Sequence, residues 1–473
     1  MQQPDAPAPP DAPTPSAAPS TAPMSSGAPA WTEHVVWWHV YPLGFVGADT
    51  TGADRSPAPR LLDLVPWLDH LVALGANGLA LGPVFASSTH GYDTIDWMHV
   101  DPRLGSDDDL VTLIDAEHEK GVRVMLDGVF NHVGPEFPPL VEARADPSSP
   151  AAALFRRDGS GDLATFEGHG GLIALDHSSP EVARLVTDVM VHWSDRGADA
   201  WRLDAAYSVP TAFWAQVLPA VRQRHPDVWV VGEVLHGDYA AIVREAGLDA
   251  VTQYELWQGV WHALQSVNLH ELAWALTRHD EFLDAFVPLT FVGNHDVTRI
   301  ASQVDDERHH AHATVLLFTL GGVPSVYYGD ELGLRAVKEE RVGGDDAVRP
   351  AFPRWSGDDV VSLVPDADPA ALALHQQMIG LRRRHPWLHT ARSRTVSVTN
   401  ESLVLELRPG AGGDAGAGGG AGDVALVVAL SLGDEPLRVA DPAPGEFLAG
   451  RDAGLDGDEL VVGAHGWAVV ARR

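Results

Sequence analysis

Residues 197–208 read GADAWRLDAAYS, an apolar run with the pattern of a buried strand that carries two opposite charges, Arg202 and Asp204, near its end. Side chains two positions apart point to the same face of a strand, so both charges project from one place. A buried ion pair is weak support for a purely structural role, because removing two ions from water costs about as much free energy as their attraction returns. From this stretch alone, a structural ion pair remains the alternative to a functional one. The sequence on either side is needed to choose between them.

Short runs rich in β-branched residues alternate with amphipathic segments on both sides of this stretch. The predicted strands are 34–45, 78–85, 122–130, 198–206, 228–235, 250–256, 286–296 and 323–331. Between them, segments such as 60–76, 107–121 and 179–197 repeat apolar residues with the spacing of one helix face. This alternation predicts an α/β fold, a (β/α)8 TIM barrel. A doubly wound sheet is the competing architecture, and the spacing favours the barrel.

The remaining sequence predicts three smaller parts. Residues 1–30 are a Pro/Ala-rich tail that we expect to be disordered, because it has few apolar residues to bury. The predicted catalytic barrel spans 31–388 and includes a Gly- and Pro-containing connection, 133–178, that we expect to form a short excursion domain after the third strand. Residues 389–473 change to short alternating strands around the glycine-rich segment 410–423, which predicts a C-terminal β-sandwich domain.

Composition excludes several classes of partner and site. The 473-residue chain has a formal net charge of −33, whereas nucleic acids and anionic membrane surfaces bind basic patches. It has no cysteine, which excludes disulfides and thiolate metal sites. No apolar run is long enough for a membrane span, and the first residues lack the basic and apolar regions of a signal peptide. We therefore expect a cytoplasmic enzyme with no nucleic-acid or membrane partner; its oligomeric state is left open.

Acidic residues stand at the carboxyl ends of three predicted strands, the rim where barrel enzymes place their catalytic groups. They are Asp204, Glu233 and Asp296. Glycoside hydrolysis needs such a set, because one carboxylate attacks the sugar, a protonated one donates to the leaving oxygen, and negative charge stabilises the oxocarbenium-like transition state. We expect Arg202 to keep Asp204 ionised and Glu233, at the end of an apolar strand, to be the proton donor.

Histidines and a tyrosine follow the same predicted strand ends. His132 comes after the third strand, His295 directly precedes Asp296, and His90 and Tyr92 come just after the second strand. We expect His132 and His295 to hydrogen-bond sugar hydroxyls and Tyr92 to offer a face on which a sugar ring stacks. In the polar loop after the eighth strand, Asp345 and Arg349 are candidates for binding the next sugar, with a solvated loop as the alternative.

A histidine-rich run, ERHHAHA, covers residues 307–313 and places His309 and His312 one helical turn apart. Paired histidines at that spacing are typical of metal sites when an acidic ligand accompanies them. We find no carboxylate at a matching spacing and interpret the run as the exposed start of a helix.

Four segments resemble, in order, the signature sequences of the α-amylase family, glycoside hydrolase family 13. They are DGVFNH (127–132), WRLDAA (201–206), GEVL (232–235) and FVGNHD (291–296). Two further segments are similar to the family's sequence after the second strand and to its eighth strand: HGYDTIDWMHVDPRLGS (90–106) and GGVPSVYYGDE (321–331). The resemblance covers residues 34–473, and four motifs in order make it specific.

The resemblance implies a role for each acid: Asp204 as nucleophile, Glu233 as general acid/base and Asp296 as transition-state stabiliser. It places these residues around the sugar at the point of cleavage: His132, Arg202, His295, Tyr92 and, at a less constant position, His90. The implied reaction is retaining hydrolysis of α-glucosidic bonds in small-molecule oligosaccharides or α-glucans, of α-amylase or α-glucosidase type, through a covalent glucosyl-enzyme.

The chain departs from the family's calcium-binding pattern. Asn131 is present, but Ala174 stands where the family has an aspartate, and Ser208 stands where it has a histidine. Calcium takes six to eight oxygen ligands, so losing a carboxylate weakens the site. We expect no obligatory cofactor or metal.

Other functions remain open at this stage. Tyr207 and Ser208 replace the family's Lys-His pair on the side where the leaving group binds, which favours oligosaccharides over long-chain endo-action. A glucanotransferase or glucoside isomerase would use the same three acids. A catalytically silent glycan-binding relative predicts the loss of an acid, and none is lost. A metal-dependent barrel hydrolase would need paired histidines on the first strand, which 34–45 lacks.

Overall fold

The computed structural model describes residues 27–341, 343–355, 357, 359–410, 424–440 and 444–472. Positions 1–26 of the expected disordered tail and most of the glycine-rich segment lie outside these residues. The strands are β1 (Trp37–Val40), β2 (Gly78–Leu81), β3 (Phe85–Ser87), β4 (Thr94–Val100), β5 (Arg123–Gly128), β6 (His132–Val133), β7 (Thr165–Phe166), β8 (His169–Ala174), β9 (Ala200–Leu203), β10 (Trp229–Gly232), β11 (Ala250–Val251), β12 (Leu289–Phe291), β13 (Val323–Tyr327), β14 (Arg392–Val398), β15 (Ser402–Arg408), β16 (Leu426–Ser431), β17 (Leu437–Val439), β18 (Pro444–Asp456) and β19 (Glu459–Arg472).

The α-helices are α1 (Pro42–Phe45), α2 (Leu68–Leu74), α3 (Asp107–Glu119), α4 (Pro138–Ala145), α5 (Pro180–Ser194), α6 (Thr211–Arg224), α7 (Tyr239–Ala246), α8 (Tyr254–Ser266), α9 (Leu269–Leu283), α10 (Ile300–Gln303), α11 (His310–Thr319), α12 (Val360–Leu363) and α13 (Pro369–Arg384). The start of α3 shows why these segments are helical: the Ser106 side chain accepts from the Asp109 backbone, and the Asp109 side chain accepts from the Ser106 backbone. Within the described residues, no helix is both long and apolar enough to cross a bilayer.

Eight parallel strands form the central sheet, in the order β11-β10-β9-β5-β2-β1-β13-β12. A parallel bridge between Thr252 and Leu289 joins its two ends and closes it into a barrel. β2, β9, β10 and β13 are buried at every position, as expected of strands with a core on both faces. This confirms the (β/α)8 barrel over the doubly wound sheet.

Two small sheets are inserted at the rim of the barrel, and the first of them shortens a predicted strand. The second barrel strand ends at Leu81, and the sequence to Phe85 does not continue it, because β3 pairs with β4 in a separate antiparallel sheet. Between barrel strands β5 and β9, β6, β8 and β7 form a three-stranded sheet accompanied by α4. This small unit lies where the sequence predicts the excursion domain.

The C-terminal strands β14–β19 form one antiparallel sheet. Alternation along β15 makes both of its faces apolar. Leu403 and Leu405 belong to the core that is continuous with the barrel, whereas Val404 belongs to a separate cluster with Val427 and Val470. The C-terminal domain, predicted as a β-sandwich, is built on this one antiparallel sheet, and one face of the sheet is buried together with the barrel.

Candidate active site

Strand register brings the predicted charged residues together at one end of the barrel. Asp127 of β5 lies opposite Arg202 of β9, and Leu203 lies opposite Gly232 of β10. The next residues along these two strands are Asp204 and Glu233. Because parallel strands end on the same side, both carboxylates reach the carboxyl rim beside the arginine.

Arg202 is the centre of this cluster. Its Nη1 donates to both Asp127 oxygens, at 2.6 and 2.8 Å, and its Nη2 lies 2.7 Å from Glu233 Oε1. Asp204 Oδ1 is farther away, at 3.3 Å. Each of these four side chains is at most 9% exposed. Arg202 contacts Asp204 as expected, but the guanidinium is shared, and Asp127 and Glu233 lie closer to it.

The backbone after Asp204 has an unusual conformation. Ala205 has φ +47°, a left-handed value that a residue with a β-carbon adopts only with strain. In this conformation the Ala205 N–H donates to Glu233 Oε2 at 3.0 Å. The strained residue thus fixes the proposed acid/base beside the proposed nucleophile.

The expected effect of Arg202 on the pKa of Asp204 is only part of the electrostatics at this residue. Burial and the nearby Glu233 carboxylate raise the pKa of Asp204 well above its usual range, and Arg202 only partly offsets them. Burial likewise raises the pKa of Asp127. Asp204 is therefore harder to ionise than an isolated aspartate, and any group that lowers this cost favours its charged form.

The pKa of Asp296 shifts in the opposite direction. Burial disfavours its charge, but His295 and Arg349 lower its pKa well below the usual range. His295 Nε2 lies 2.9 Å from Asp296 Oδ2, and Arg349 Nη2 donates to Oδ1 at 2.7 Å. The site therefore combines Asp296, which its neighbours hold in the charged form, with Asp204, whose charged form is disfavoured by burial and by Glu233.

Arg349 also contacts the cluster of proposed catalytic residues. Besides Asp296, its Nη2 contacts Asp345 at 3.2 Å, and its Nε donates to the His295 carbonyl at 2.9 Å. Its guanidinium lies over the Tyr41 ring, 4.6 Å from the centroid. The solvated-loop alternative does not fit Arg349, whose side chain is 8% exposed; Asp345 is 31% exposed. Contact of either residue with a second sugar stays a prediction.

The predicted aromatic and histidine ligands also lie at this rim, but much of their polar surface is already bonded. Tyr92 OH contacts His295 Nε2 and donates to Asp127 Oδ2 at 3.2 Å. His132 Nε2 donates to the Tyr92 carbonyl at 3.0 Å, and burial lowers the pKa of His132 to about 4, so its ring is neutral. His90 is half-buried and accepts from the Tyr92 N–H.

Sequence reasoning did not assign three residues that complete the cluster. Asp127 is the first residue of the motif DGVFNH (127–132) and was not predicted as a site residue, although it is fully buried on Arg202. Tyr254 OH donates to Glu233 Oε1 at 3.3 Å, and Asn294 Nδ2 donates to Tyr254 OH at 2.9 Å. Tyr254 begins a helix after the sixth barrel strand, and nothing in the surrounding sequence indicates that its hydroxyl faces the site. Asn294 lies inside the motif FVGNHD (291–296), in which only His295 and Asp296 were predicted as site residues.

The excursion domain covers one side of the rim. Phe166 of β7 stacks on His132, with ring centroids 4.8 Å apart. Tyr207, in the turn after the nucleophile candidate, donates from its hydroxyl to Glu167 Oε1 at 2.8 Å. Glu167 has φ +48°, another strained non-glycine residue. This contact ties the β7–β8 hairpin to the barrel next to Asp204.

Comparison with known proteins gives the family. The family model of the α-amylase catalytic domain matches residues 40–165 and 166–391. The chain belongs to the α-amylase family. A cyclomaltodextrinase from Bacillus sp is 29% identical over 410 residues, which are 80% of this α-amylase-family chain and 70% of that protein. An intracellular maltogenic amylase from Bacillus subtilis is 28% identical over 335 residues, 64% of this chain and 56% of that one.

Solved structures agree with this assignment. The ligand-free cyclic α-maltosyl-(1→6)-maltose hydrolase from Arthrobacter globiformis aligns with a TM-score of 0.76 and 25% identity, over 94% of this chain and 99% of that one. The family, the barrel with its C-terminal domain, and the class of glycosidase expected from the sequence are confirmed. The roles of individual residues are not decided by similarity and rest on the geometry.

Proposed function

We propose that this α-amylase-family chain hydrolyses α-glucosidic bonds of gluco-oligosaccharides with retention, using Asp204 as nucleophile, Glu233 as general acid/base and Asp296 as transition-state stabiliser. The observation that carries the proposal is the grouping of three carboxylates at one rim, where Arg202, His295 and Arg349 contact them. Asp296 is held ionised by His295 and Arg349, while Asp204 and Glu233 lie side by side on Arg202. Retaining hydrolysis needs one ionised and one protonated carboxyl at the reacting bond.

The first step uses both members of the pair. Glu233 gives its proton to the glycosidic oxygen as the bond from that oxygen to the anomeric carbon breaks, and Asp204 forms a bond to the same carbon. The product is a covalent β-glucosyl ester, and the leaving sugar departs with the proton. Asp296, whose charge is fixed, stabilises the positive charge that develops on the ring between the two bonds.

The second step reverses the roles. Glu233, now ionised, takes a proton from water as the water oxygen attacks the anomeric carbon, and the bond to Asp204 breaks. The Ala205 N–H and Tyr254 OH, which both donate to Glu233, hold its carboxylate in position for this step. The net result is hydrolysis with the α-configuration kept.

Hydrolysis is proposed over transfer to a second sugar. The relatives and the solved structure described above carry the names of hydrolases and amylases, two of which act by name on cyclic α-glucans. Because the chain spans 70% and 56% of the two relatives, the substrate stays a proposal: short or cyclic α-glucans bound as neutral small molecules. The name of the Bacillus subtilis relative supports the proposed cytoplasmic location.

We also propose that catalysis needs no calcium. Ala174 offers no side-chain oxygen where the family's calcium site has a carboxylate, and its carbonyl accepts from the Arg156 N–H. Asn131 Nδ2 is bonded to His132 Nδ1 at 3.1 Å. These residues do not fit a cation that takes six to eight oxygen ligands. Chelator-treated protein should therefore keep its activity on maltotriose, and a loss restored by calcium would contradict this proposal.

Variants of the acids test the mechanism. Asp204→Asn and Glu233→Gln should each lower kcat by several orders of magnitude, since each removes a group that reacts. Asp108→Asn, on the exposed side of α3, is the matched control and should be unaffected. Product chromatography on maltose, isomaltose, maltotriose, cyclodextrins, pullulan and starch then gives the substrate. Products longer than maltotriose would favour the transferase, and full activity in either acid variant would refute the mechanism.

A further inference from the structure

A second cluster of ionisable side chains lies where the barrel meets the C-terminal domain. His309 ends a short 3-10 turn just before α11, and His465 belongs to β19. The interpretation of the 307–313 run as an exposed helix start is wrong, because His309 and His312 are 2% and 0% exposed. Strands distant in sequence cover them: His312 Nε2 donates towards the Ser431 and Gly466 carbonyls.

Three potential ligand atoms converge in this cluster. His309 Nε2 lies 3.0 Å from His465 Nδ1 and 3.9 Å from Asp306 Oδ2, and one ligand atom of each residue lies within 4.8 Å of the others. In a tetrahedral zinc site with bonds of about 2.0–2.1 Å, ligand atoms are separated by roughly 3.3 Å. The two separations from His309 Nε2 lie on either side of that value, and the third is at most 4.8 Å, so the three atoms are close enough for side-chain rotation to bring them around one ion.

The far side of His465 has the support that a metal-binding histidine needs. Its Nε2–H donates to Asp434 Oδ1 at 3.0 Å, which leaves the Nδ1 lone pair facing the cluster. His465 also has φ +51°, a left-handed conformation that is uncommon outside glycine. In His309, the buried Nδ1 has no hydrogen-bond partner within the described residues, so the ring proton moves there without breaking another bond when Nε2 takes a cation.

Access and charge also suit a cation. The Asp306 side chain is 33% exposed and Asp434 is 91% exposed, so the cluster opens to solvent on its acidic side. Arg308 is the nearest cationic side chain on the same turn. It pairs with Asp306, reaching Oδ1 at 2.9 Å through Nε and Oδ2 at 2.6 Å through Nη2, and it is itself more than half exposed. Arg308 Nε also reaches Oδ2 at 3.2 Å, so a metal ion on Oδ2 displaces two bonds and leaves the one to Oδ1.

We propose that Asp306, His309 and His465 bind one divalent transition-metal ion of the zinc class, with a fourth position open to water. Two imidazole nitrogens and one carboxylate oxygen are a ligand set that zinc accepts. The ion joins the turn before α11 to β19 and so links the catalytic barrel to the C-terminal domain. A hydrogen-bonded chain from His309 through His465 to Asp434, with no metal, is the rival account of the same contacts.

Zinc titration of the full chain tests the proposal. Protein freed of metal by chelation is titrated with zinc chloride in a calorimeter, and its thermal midpoint is measured with and without zinc. The native chain should bind one more equivalent of zinc than Asp306→Asn or His465→Gln. Zinc should also raise its thermal midpoint, because the ion binds the folded state only. Asp434→Asn should bind this equivalent about tenfold or more weakly, as loss of a supporting carboxylate does.

Two features keep the test decisive. Asp306→Asn changes a partly exposed residue and should fold even if the buried His465→Gln does not. His310→Gln is the matched control, since His310 is adjacent but bonds the Val304 carbonyl instead of the cluster. Equal zinc binding by the native chain, Asp306→Asn and His465→Gln, or no zinc binding at all, overturns the proposal and favours the hydrogen-bonded chain. None of these residues is among the three proposed catalytic acids.

Discussion

Arg202 holds carboxylates from three barrel strands: Asp127 of β5, Asp204 after β9 and Glu233 after β10. It does so with two nitrogens, one for Asp127 and Asp204 and the other for Glu233. A lysine ammonium is a single charge and cannot span these positions. We expect Arg202→Lys to lower kcat on maltotriose by about 10²-fold or more, a loss typical of misplacing a charged group at the transition state.

The measurement is steady-state kinetics together with circular dichroism of the purified variant. Arg123→Lys is the control, because Arg123 also pairs with an aspartate, Asp199, but is 44% exposed. An unchanged kcat in a folded Arg202→Lys protein would show that the arrangement of the carboxylates does not depend on the fork of the guanidinium.

The pH profile gives a second prediction for single residues. The nucleophile must be ionised, so kcat/KM falls as the pH drops through the pKa of Asp204 in the free enzyme. After burial and Glu233, the charge of Asp127 is a further cause that raises the pKa of Asp204. Asp127→Asn removes that charge, so the acid limb of its residual activity should move to lower pH. A shift to higher pH would contradict this electrostatic account, and Asp108→Asn should show no shift.

The grouping of the three acids at one rim was predictable because each comes at or after the end of an apolar run, a place where a charged residue has a functional reason to be. Asp127 and Tyr254 illustrate the limit of that reasoning. Asp127 matters through its contact with Arg202, which depends on the register of β5 against β9. Tyr254 matters through its hydroxyl on Glu233, which depends on how α8 sits over the sixth strand. Neither distance is encoded in local sequence.

At the scale of elements, the β7–β8 hairpin is the part of the excursion domain that borders the site. Its polar contact with Tyr207 of the barrel is the bond from the Tyr207 hydroxyl to Glu167. Tyr207→Phe keeps the ring and removes this bond, which frees the hairpin next to the leaving-group side. A hydrogen bond to a charged group contributes about 1.5–3 kcal/mol, so we expect KM for maltotriose to rise by roughly tenfold or more with a smaller change in kcat.

Tyr239→Phe is a suitable control for that experiment. It removes the same hydroxyl from a tyrosine whose bond, to the Leu235 carbonyl at 3.1 Å, lies within the α7 region. If both variants raise KM equally, the effect reports general loosening of the barrel and the hairpin contact has no specific role. If Tyr207→Phe changes neither parameter, the hairpin does not need Glu167 to hold its position.

Element bounds show the same division between local and distant causes. The capping box at Ser106 and the left-handed Gly75 at the end of α2 are local signals, and the helices near them were predicted. The break at Leu81 was not, because Phe85 and its neighbours are as apolar as a barrel strand. Phe85 belongs to a separate strand because β3 pairs with β4 in an antiparallel sheet. The pairing partner of a strand cannot be predicted from the periodicity of its own residues.

For the whole molecule, the core that runs from the barrel into the C-terminal domain decides how the two parts behave. The order of strands and helices sufficed to predict both folds. The packing of the two parts against each other could not be read from the sequence pattern. For that reason the 307–313 run was interpreted as exposed, although strands of the C-terminal domain cover it. Hydrogen bonds add to this junction: Asp280 of α9 accepts from the Ser393 backbone and hydroxyl at 3.1 and 2.9 Å.

A continuous core predicts that damage in the C-terminal domain destabilises the catalytic barrel. Leu405 of β15 is fully buried in the cluster that includes barrel residues, whereas Leu455 of β18 is 42% exposed. Leu405→Ala should lower the free energy of unfolding by about 2–5 kcal/mol, and Leu455→Ala, the same chemical change, should have little effect. We expect the temperature at which activity is lost to fall with the calorimetric transition in Leu405→Ala. If calorimetry instead shows the C-terminal domain melting first while maltotriose hydrolysis persists, the two domains are independent and the shared core does not couple them.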